Sequence, residues 1–455
     1  ATSIGHAPIS GLIDSRKGSK NAIAEALTNI VFAPLEKGIH SISLSANWMW
    51  PCNNPGEYSR LYEAVEECSK FAIDLGINIP TGKDSLSMKQ KYSNYDVLSP
   101  GTVIISAAGQ CSNVKNIIKP VATAKGGEIF YVDFSQDEFY LGGSSFAQSQ
   151  ECIGNDTPGV TDPVYFKRAF NTVQDHIKAG KISAGHDIGS GGLITSLLEL
   201  CFPSLNIGMD LDFSCLEETD LVKILFSEKV GLILQSNFDL NSSFSKNGIK
   251  AFKIGFVNQS SSLKIGNNNI SINEMRKEWM KTSTQFELKQ TNSELALLRL
   301  DNVIKQPLKY RFPSKFSGKR PLKKIKRLNA AVIREKGSNS EREMAYMMDL
   351  CGFKVRDVHM TDLIEGRETL EDIQLLVAVG GFSNSDVLGS AKGWAGAFRY
   401  NAKARAALEN FFSRKNTLSL GVCNGCQLFI ELGLLNTNQT QRPKMMHNKS
   451  GKFEC

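Results

Sequence analysis

A cysteine with glycine two positions away on either side, where an apolar run gives way to a helical one, is a candidate nucleophile. Residues 417–430 have this form: a short strand turns directly into a helix with Cys423 at the corner, between Gly421 and Gly425. So tight a turn tolerates only small neighbours. The following helix aims unpaired amides and the positive end of its dipole at the sulfur. That is expected to favour the thiolate. Cys423 and Cys426 also spell C-x-x-C at a helix start, the build of a redox pair, and a buried structural pair is the plain alternative. Neither accounts for the glycine spacing. Upstream, the apolar run 375–379 ends in Gly380-Gly381-Phe382-Ser383. Its amides fall at the same sheet edge as the corner cysteine, so Gly381, with Asn424 at the helix start, is expected to form an oxyanion hole.

A second chemistry lies nearer the N-terminus. Over residues 16–31, Ala22, Ile23, Ala26, Leu27 and Ile30 form one buried helical stripe, with Glu25 and Asn29 four apart on its flank. Their oxygens converge as a hard cation such as Mg²⁺ requires, although an exposed helix flank has the same spacing. Asp187 precedes the glycine-rich run 189–192 that opens the apolar helix 193–202. Such glycines make a nest of amide donors for an anion, whose metal Asp187 could hold; capping glycines around a satisfied aspartate are the alternative. The stretch 81–88 reads as a loop in which Lys83 and Asp84, with Gly82 and Ser85, suit a phosphate without the spacing of a P-loop.

The elements that must place these residues are legible along the chain. Strands are expected at 39–45, 102–108, 128–134, 231–235 and 251–257, a loop at 45–51, and helices through 61–75 and 164–177. From residue 328 strand and helix alternate regularly, which predicts a doubly wound sheet. The 455 residues, 41% hydrophobic, suffice for two or three cores, and no apolar run reaches membrane-spanning length. Ten scattered cysteines suit a reducing cytoplasm. The formal charge of +7 comes from residues 301–328, ten Lys or Arg against one acid, and the rest is slightly acidic. Broken by Pro307, Pro313, Gly318 and Pro321, that run reads as a linker rather than a nucleic-acid platform.

With both regions in view, Gly380–Ser383 and Gly421–Gly425 resemble the triad glutamine amidotransferase domain of the large, single-chain phosphoribosylformylglycinamidine synthase family. The phrases Glu25-Ala26-Leu27-Thr28-Asn29, Leu44-Ser45-Ala46-Asn47-Trp48-Met49, Gly82-Lys83-Asp84-Ser85-Leu86-Ser87-Met88, Leu141-Gly142-Gly143-Ser144 and Gly185-His186-Asp187 are similar to that family in the same order. The resemblance implies an α/β and α+β multidomain chain, a C-terminal piece of a longer polypeptide. An aminoimidazole-ribonucleotide-synthetase-like half would comprise an ATP-site subdomain at 1–125, incomplete at its start, and a second subdomain at 126–300. A basic linker at 301–327 and a truncated class I amidotransferase domain at 328–455 would follow. It further implies ATP-dependent conversion of formylglycinamide ribonucleotide to its amidine with ammonia from glutamine, in cytoplasmic purine synthesis, the rest of the polypeptide being the partner. Cys423 would be the nucleophile, Glu25, Asn29 and Asp187 the Mg²⁺ ligands, and Lys83, Asp84 and Gly189 nucleotide contacts. Position 189 departs from the family, where serine is expected; here Ser190 stands beside a glycine. The triad histidine and acid are expected beyond residue 455, since His447-Asn448-Lys449-Ser450 matches a phrase that precedes them. A redox or chaperone-like cysteine protein on a similar sheet is the alternative, and would leave the Glu25, Asn29 and Asp187 phrases unexplained.

Overall fold

The computed structural model describes residues 1–303, 314, 327–435 and 443–452. The basic linker expected at 301–327 lies almost wholly outside them. Two compact units divide the chain, one of Ala1–Lys289 and Ala296–Gln306, the other of Gln290–Leu295 and Pro307–Cys455.

The first unit opens with β1 (Thr2–His6), α1 (Pro8–Ile13), α2 (Ser15–Ile30), β2 (Ile42–Met49), α3 (Glu57–Leu75) and β3 (Asn78–Ser85). A small hairpin of β4 (Lys89–Lys91) and β5 (Asp96–Leu98) precedes β6 (Thr102–Gly109), and the sheet order is β1-β6-β2-β3. The sequence places a loop at 45–51 and another at 81–88, and both expectations are corrected. Residues 45–49 pair in parallel with 81–85 and antiparallel with 102–106, so the polar phrases around Asn47 and Lys83 lie on strands. The physical sign was the period-2 alternation, which continues through buried Leu44 and Ala46 while Ser43, Ser45 and Asn47 face the open side.

A seven-stranded sheet follows, assembled from β7 (Glu128–Asp133), β8 (Ala184–Asp187), β9 (Gly208–Leu211), β10 (Gly231–Ser236), β11 (Ala251–Asn258), β12 (Ser262–Ile265) and β13 (Asn268–Ser271) in the order β13-β12-β9-β11-β7-β10-β8. Its helices are α4 (Ser145–Ser149), α5 (Pro163–Lys178), α6 (Gly192–Cys201), α7 (Leu221–Phe226) and α8 (Leu240–Lys246), with α9 (Ile272–Gln290) and α10 (Ser293–Asn302) after it. The central strands are buried on both faces. Phe130, Val132, Leu232 and Leu234 join Phe166 and Phe170 of α5 and Ala22 and Leu27 of α2 in one core, whereas Ile129, Tyr131 and Ile233 pack on Leu193, Leu197 and Leu200 of α6. The stretches expected as two subdomains of one half, 1–125 and 126–300, both contribute residues to the first of these cores.

The second unit contains β14 (Asn329–Arg334), β15 (Ser338–Asn339), α11 (Glu341–Leu350), β16 (Lys354–His359), α12 (Met360–Glu365), β17 (Leu375–Ala378), β18 (Gly380–Gly381), α13 (Lys392–Tyr400), α14 (Ala402–Ser413), β19 (Leu418–Gly421) and α15 (Asn424–Glu431). Four strands run parallel in the order β16-β14-β17-β19. Alternate residues bury opposite faces. Val332, Val377 and Val379 meet Met348 of α11, while Ala331, Ile333, Leu376 and Ala378 lie under Trp394, Phe398, Phe411 and Leu428. Helices on both faces of a parallel sheet make it doubly wound, as the alternation predicts.

Candidate active site

Cys423 stands at the carboxyl end of β19 with φ 53° and ψ −111°, and α15 begins at the next residue. A non-glycine residue held at positive φ costs on the order of 1–3 kcal/mol, which the surrounding packing must hold in place. The side chain is exposed. Packing demands the glycine at 425, because a Cβ there would lie 2.1 Å from the carbonyl oxygen of Ala378 on β17. Gly425→Ala is accordingly expected to force α15 off the sheet and destabilise this unit by about 1–3 kcal/mol or more. Chemical denaturation together with the rate of thiol labelling at Cys423 would check this; an unshifted midpoint and rate would contradict it.

The glycine turn after β17 lies against the cysteine. A Cβ on Gly380 would come within 3.2 Å of Cys423 Cβ and 3.8 Å of Sγ, and Gly381 has φ 106°. Phe382 N donates to Gly337 O at 2.8 Å. Donors alternate in side along an extended strand, so the Gly381 amide is left outside that pairing with β15. The Asn424 amide is the first of α15 and has no partner within the helix. The Asn424 side chain does something the sequence did not suggest. Fully buried, its Oδ1 accepts from Ser383 N at 3.2 Å and its Nδ2 donates to Gln427 Oε1 at 2.9 Å, pinning the glycine turn to the elbow helix. No histidine among the described residues is hydrogen-bonded to Cys423. His359 ends β16, three strands from β19, or roughly 14 Å at ~4.8 Å per step.

In the first unit the structure brings Glu25, Asn29 and Asp187 to one region. Asp14 caps α2 by accepting from Arg16 N and Lys17 N, which fixes the helix start. Near the other end, Phe32 packs on β8 in the space a Gly185 side chain would fill; a Cβ there would sit 2.3 Å from the ring. That contact draws the last turns of α2 to the end of β8, where Asp187 stands. Glu25 Oε2 accepts from His6 N at 2.7 Å and lies 3.6 Å from His6 Nδ1. Burial pushes the Glu25 carboxyl above the usual carboxylate range, the His6 amide and ring draw it back, and the Asp187 charge pushes it up again. Asn29 and Asp187 line one cavity of about 510 Å³. Two half-buried carboxylates that repel each other, with an amide oxygen nearby, fit a hard divalent cation. Among the described residues, no three His, Cys, Asp or Glu side chains already converge as a metal centre. His186 braces Asp187: its Nδ1 lies 2.7 Å from Asp187 O and its Nε2 3.3 Å from Glu199 Oε2. Burial alone would lower the His186 pKa, but these carboxylates hold it above its ordinary value.

Gly189 lines a smaller cavity of about 140 Å³ together with Glu25, Asn21, Ser145, Ser190 and Glu228. A Cβ on Gly189 would meet open space, so the serine expected there would fit, and the glycine is not a steric requirement. The nest expected over 189–192 differs from the sequence reading. Gly191 N donates to Glu228 Oε1 at 2.8 Å, so an internal carboxylate already takes that donor. Glu228 was not legible, because no spacing links it to residue 191. Lys83 and Asp84 follow Thr81, which lines a cavity of about 680 Å³ with Asn29. They lie exposed on β3, the far edge of its sheet from β1, where Lys83 Nζ donates to Ser85 Oγ at 2.7 Å.

Three family descriptions match the chain: an FGAR-AT PurM_N-like domain over residues 1–110, the C-terminal domain of AIR synthase related proteins over 140–266, and a CobB/CobQ-like glutamine amidotransferase domain over 327–455. A probable phosphoribosylformylglycinamidine synthase, chloroplastic/mitochondrial, of Arabidopsis thaliana is 37% identical over 100% of this chain and 34% of its own length. The Dictyostelium discoideum phosphoribosylformylglycinamidine synthase is 34% identical over 100% and 37%, and that of Homo sapiens 34% identical over 100% and 36%. Among solved structures, T. maritima PurL complexed with FGAR aligns at 15% identity and a TM-score of 0.49, covering 60% of this chain and 45% of its own. The chain spans about a third of the length of the curated relatives it matches. Every residue of the chain thus aligns with phosphoribosylformylglycinamidine synthases, to which it is similar over its whole length.

Proposed function

We infer that this chain is part of an ATP-dependent ligase that converts formylglycinamide ribonucleotide to its amidine with ammonia taken from glutamine, in purine synthesis. The observation that carries the reading is the strained elbow at Cys423, packed against Gly380 within the unit that matches an amidotransferase domain. Cys423 Sγ attacks the side-chain carboxamide carbon of glutamine, the C–N bond breaks with release of ammonia, and water returns the thioester to glutamate and thiol. The amides of Gly381 and Asn424 stabilise the oxyanion that forms on the way. The second chemistry belongs to the first unit. There Glu25, Asn29 and Asp187 hold Mg²⁺, and Gly189 with Ser190 faces the nucleotide. The cation supplies charge neutralisation for the phosphates. Lys83 and Asp84 of β3 are further nucleotide contacts in this reading, supported by Thr81 of the same strand lining one cavity with Asn29. Neither nucleic acid nor membrane has a part in the reading; among the described residues no helix is long and apolar enough to cross a membrane. A cytoplasmic setting goes with purine synthesis, although the Arabidopsis relative is named chloroplastic/mitochondrial.

An electrophilic glutamine analogue tests the assignment directly. It is expected to label Cys423 and no other cysteine, slowly, with protection by glutamine. Steady-state ammonia release by this chain alone should be near background, because a positioned base contributes ~10²–10⁴-fold and none contacts Cys423 among the described residues. Labelling elsewhere, or labelling that glutamine does not slow, would overturn the reading.

A further inference from the structure

Three consecutive residues after α7 reach in three directions. Ser227 Oγ donates to Tyr140 O at 2.8 Å, and Lys229 Nζ meets Asp133 Oδ2 at 3.1 Å in a buried pair. Between them, Glu228 Oε1 accepts from Ser145 N at 2.7 Å and from Gly191 N at 2.8 Å. Those amides belong to two turns far apart in sequence, one opening α4 and the other opening α6, and both line the cavity that holds Glu25 and Gly189. Among the described residues no hydrogen bond runs directly from one turn to the other. A carboxylate accepting two backbone amides makes charge-assisted bonds about twice as strong as neutral ones.

We propose that Glu228 is the positioning residue of this cavity: its carboxylate takes the place of an anion at the start of α6 and so ties the two glycine turns into one wall. The flanking anchors make the clamp stiff. With Ser227 held to Tyr140 and Lys229 to Asp133, the Glu228 backbone cannot follow its carboxylate, so the turns come to it. The consequence for a ligand rests on the nucleotide reading given above. Gly189 and Ser190 lie two and one residues before Gly191, so what they present to a nucleotide depends on where Glu228 holds that amide.

The test uses the full-length protein with Glu228→Ala and Glu228→Gln, followed by amide hydrogen exchange, calorimetry with Mg·ADP, and melting. In Glu228→Ala the peptides around 141–148 and 188–193 should lose protection together, and Mg·ADP should bind ~10–100-fold more weakly, as losses of outer-shell support do. Glu228→Gln keeps an acceptor oxygen and should restore both towards wild type. Unchanged exchange in either turn, or faster exchange spread evenly over the unit, would overturn the clamp. So would unchanged Mg·ADP affinity in Glu228→Ala beside a wild type that binds. If wild type itself binds no Mg·ADP, the nucleotide reading falls, and exchange at the two turns alone decides the clamp. Should Glu228→Ala fail to fold, Glu228→Met, which keeps bulk without an acceptor, gives the same comparison.

Discussion

In the complete enzyme, Cys423→Ala should abolish glutamine-dependent amidine formation while synthesis driven by added ammonium salt continues at the wild-type rate. The size of the loss follows from the step removed. Without the sulfur no thioester forms, and deleting a covalent nucleophile elsewhere has cost as much as ~10⁶-fold. The sparing of the ammonia reaction follows from architecture. Cys423 belongs to the doubly wound unit, whereas Glu25, Asn29 and Asp187 lie in the other, with its own core. Cys426→Ser, one turn into α15, should stay close to wild type because residue 423 alone occupies the corner at φ 53°. Parallel rates with glutamine and with ammonium decide the matter. Equal loss of both in Cys423→Ala would remove the two-site scheme, and a Cys426→Ser defect as deep as that of Cys423→Ala would revive the redox pair.

Glu25→Gln should eliminate the response to Mg²⁺ and leave the cation-free protein no less stable than wild type. The carboxylate carries two opposed effects. It supplies a charged oxygen that a hard cation needs, and without the cation it suffers burial and the neighbouring Asp187 charge. Glutamine keeps an oxygen for the His6 amide, so the local backbone bond survives while the repulsion goes. At a free Mg²⁺ concentration of a hundred times Kd, wild type gains about 2.7 kcal/mol by mass action, and the variant should gain almost none. Melting curves with and without Mg²⁺ measure this. A variant that keeps the wild-type Mg²⁺ increment would strike Glu25 from the ligand set.

Which parts of this were legible depended on how local their cause was. The elbow could be read because a corner between strand and helix needs small residues at fixed offsets, and Gly421, Cys423 and Gly425 carry the whole signal within five positions. Glu25 and Asn29 could be placed on one helix flank for the same reason, being four apart. The strand from Ser45 to Met49 was misread as a loop because its local residues do not announce the pairing with two distant strands that makes it a strand. Asn424 was legible as an amide donor, but not as the side chain that pins Ser383, since that bond spans 41 positions. Glu228 gives no sign at all in sequence. Its partners, Ser145 and Gly191, are placed by two different helix starts, and no periodicity reports such a meeting.

Phe32 and Gly185 carry no polar side chain, yet their contact settles where Asn29 and Asp187 stand relative to each other. The consequence concerns heredity more than chemistry. A single-methyl change at residue 185, scored as conservative on any similarity scale, would set a carbon 2.3 Å from the ring, force the ring aside and unseat oxygens it never touches. In a collection of natural variants, those that silence the proposed cation site would then fall into two groups, one altering the oxygens and one altering carbon alone. A survey restricted to reactive side chains would see only the first.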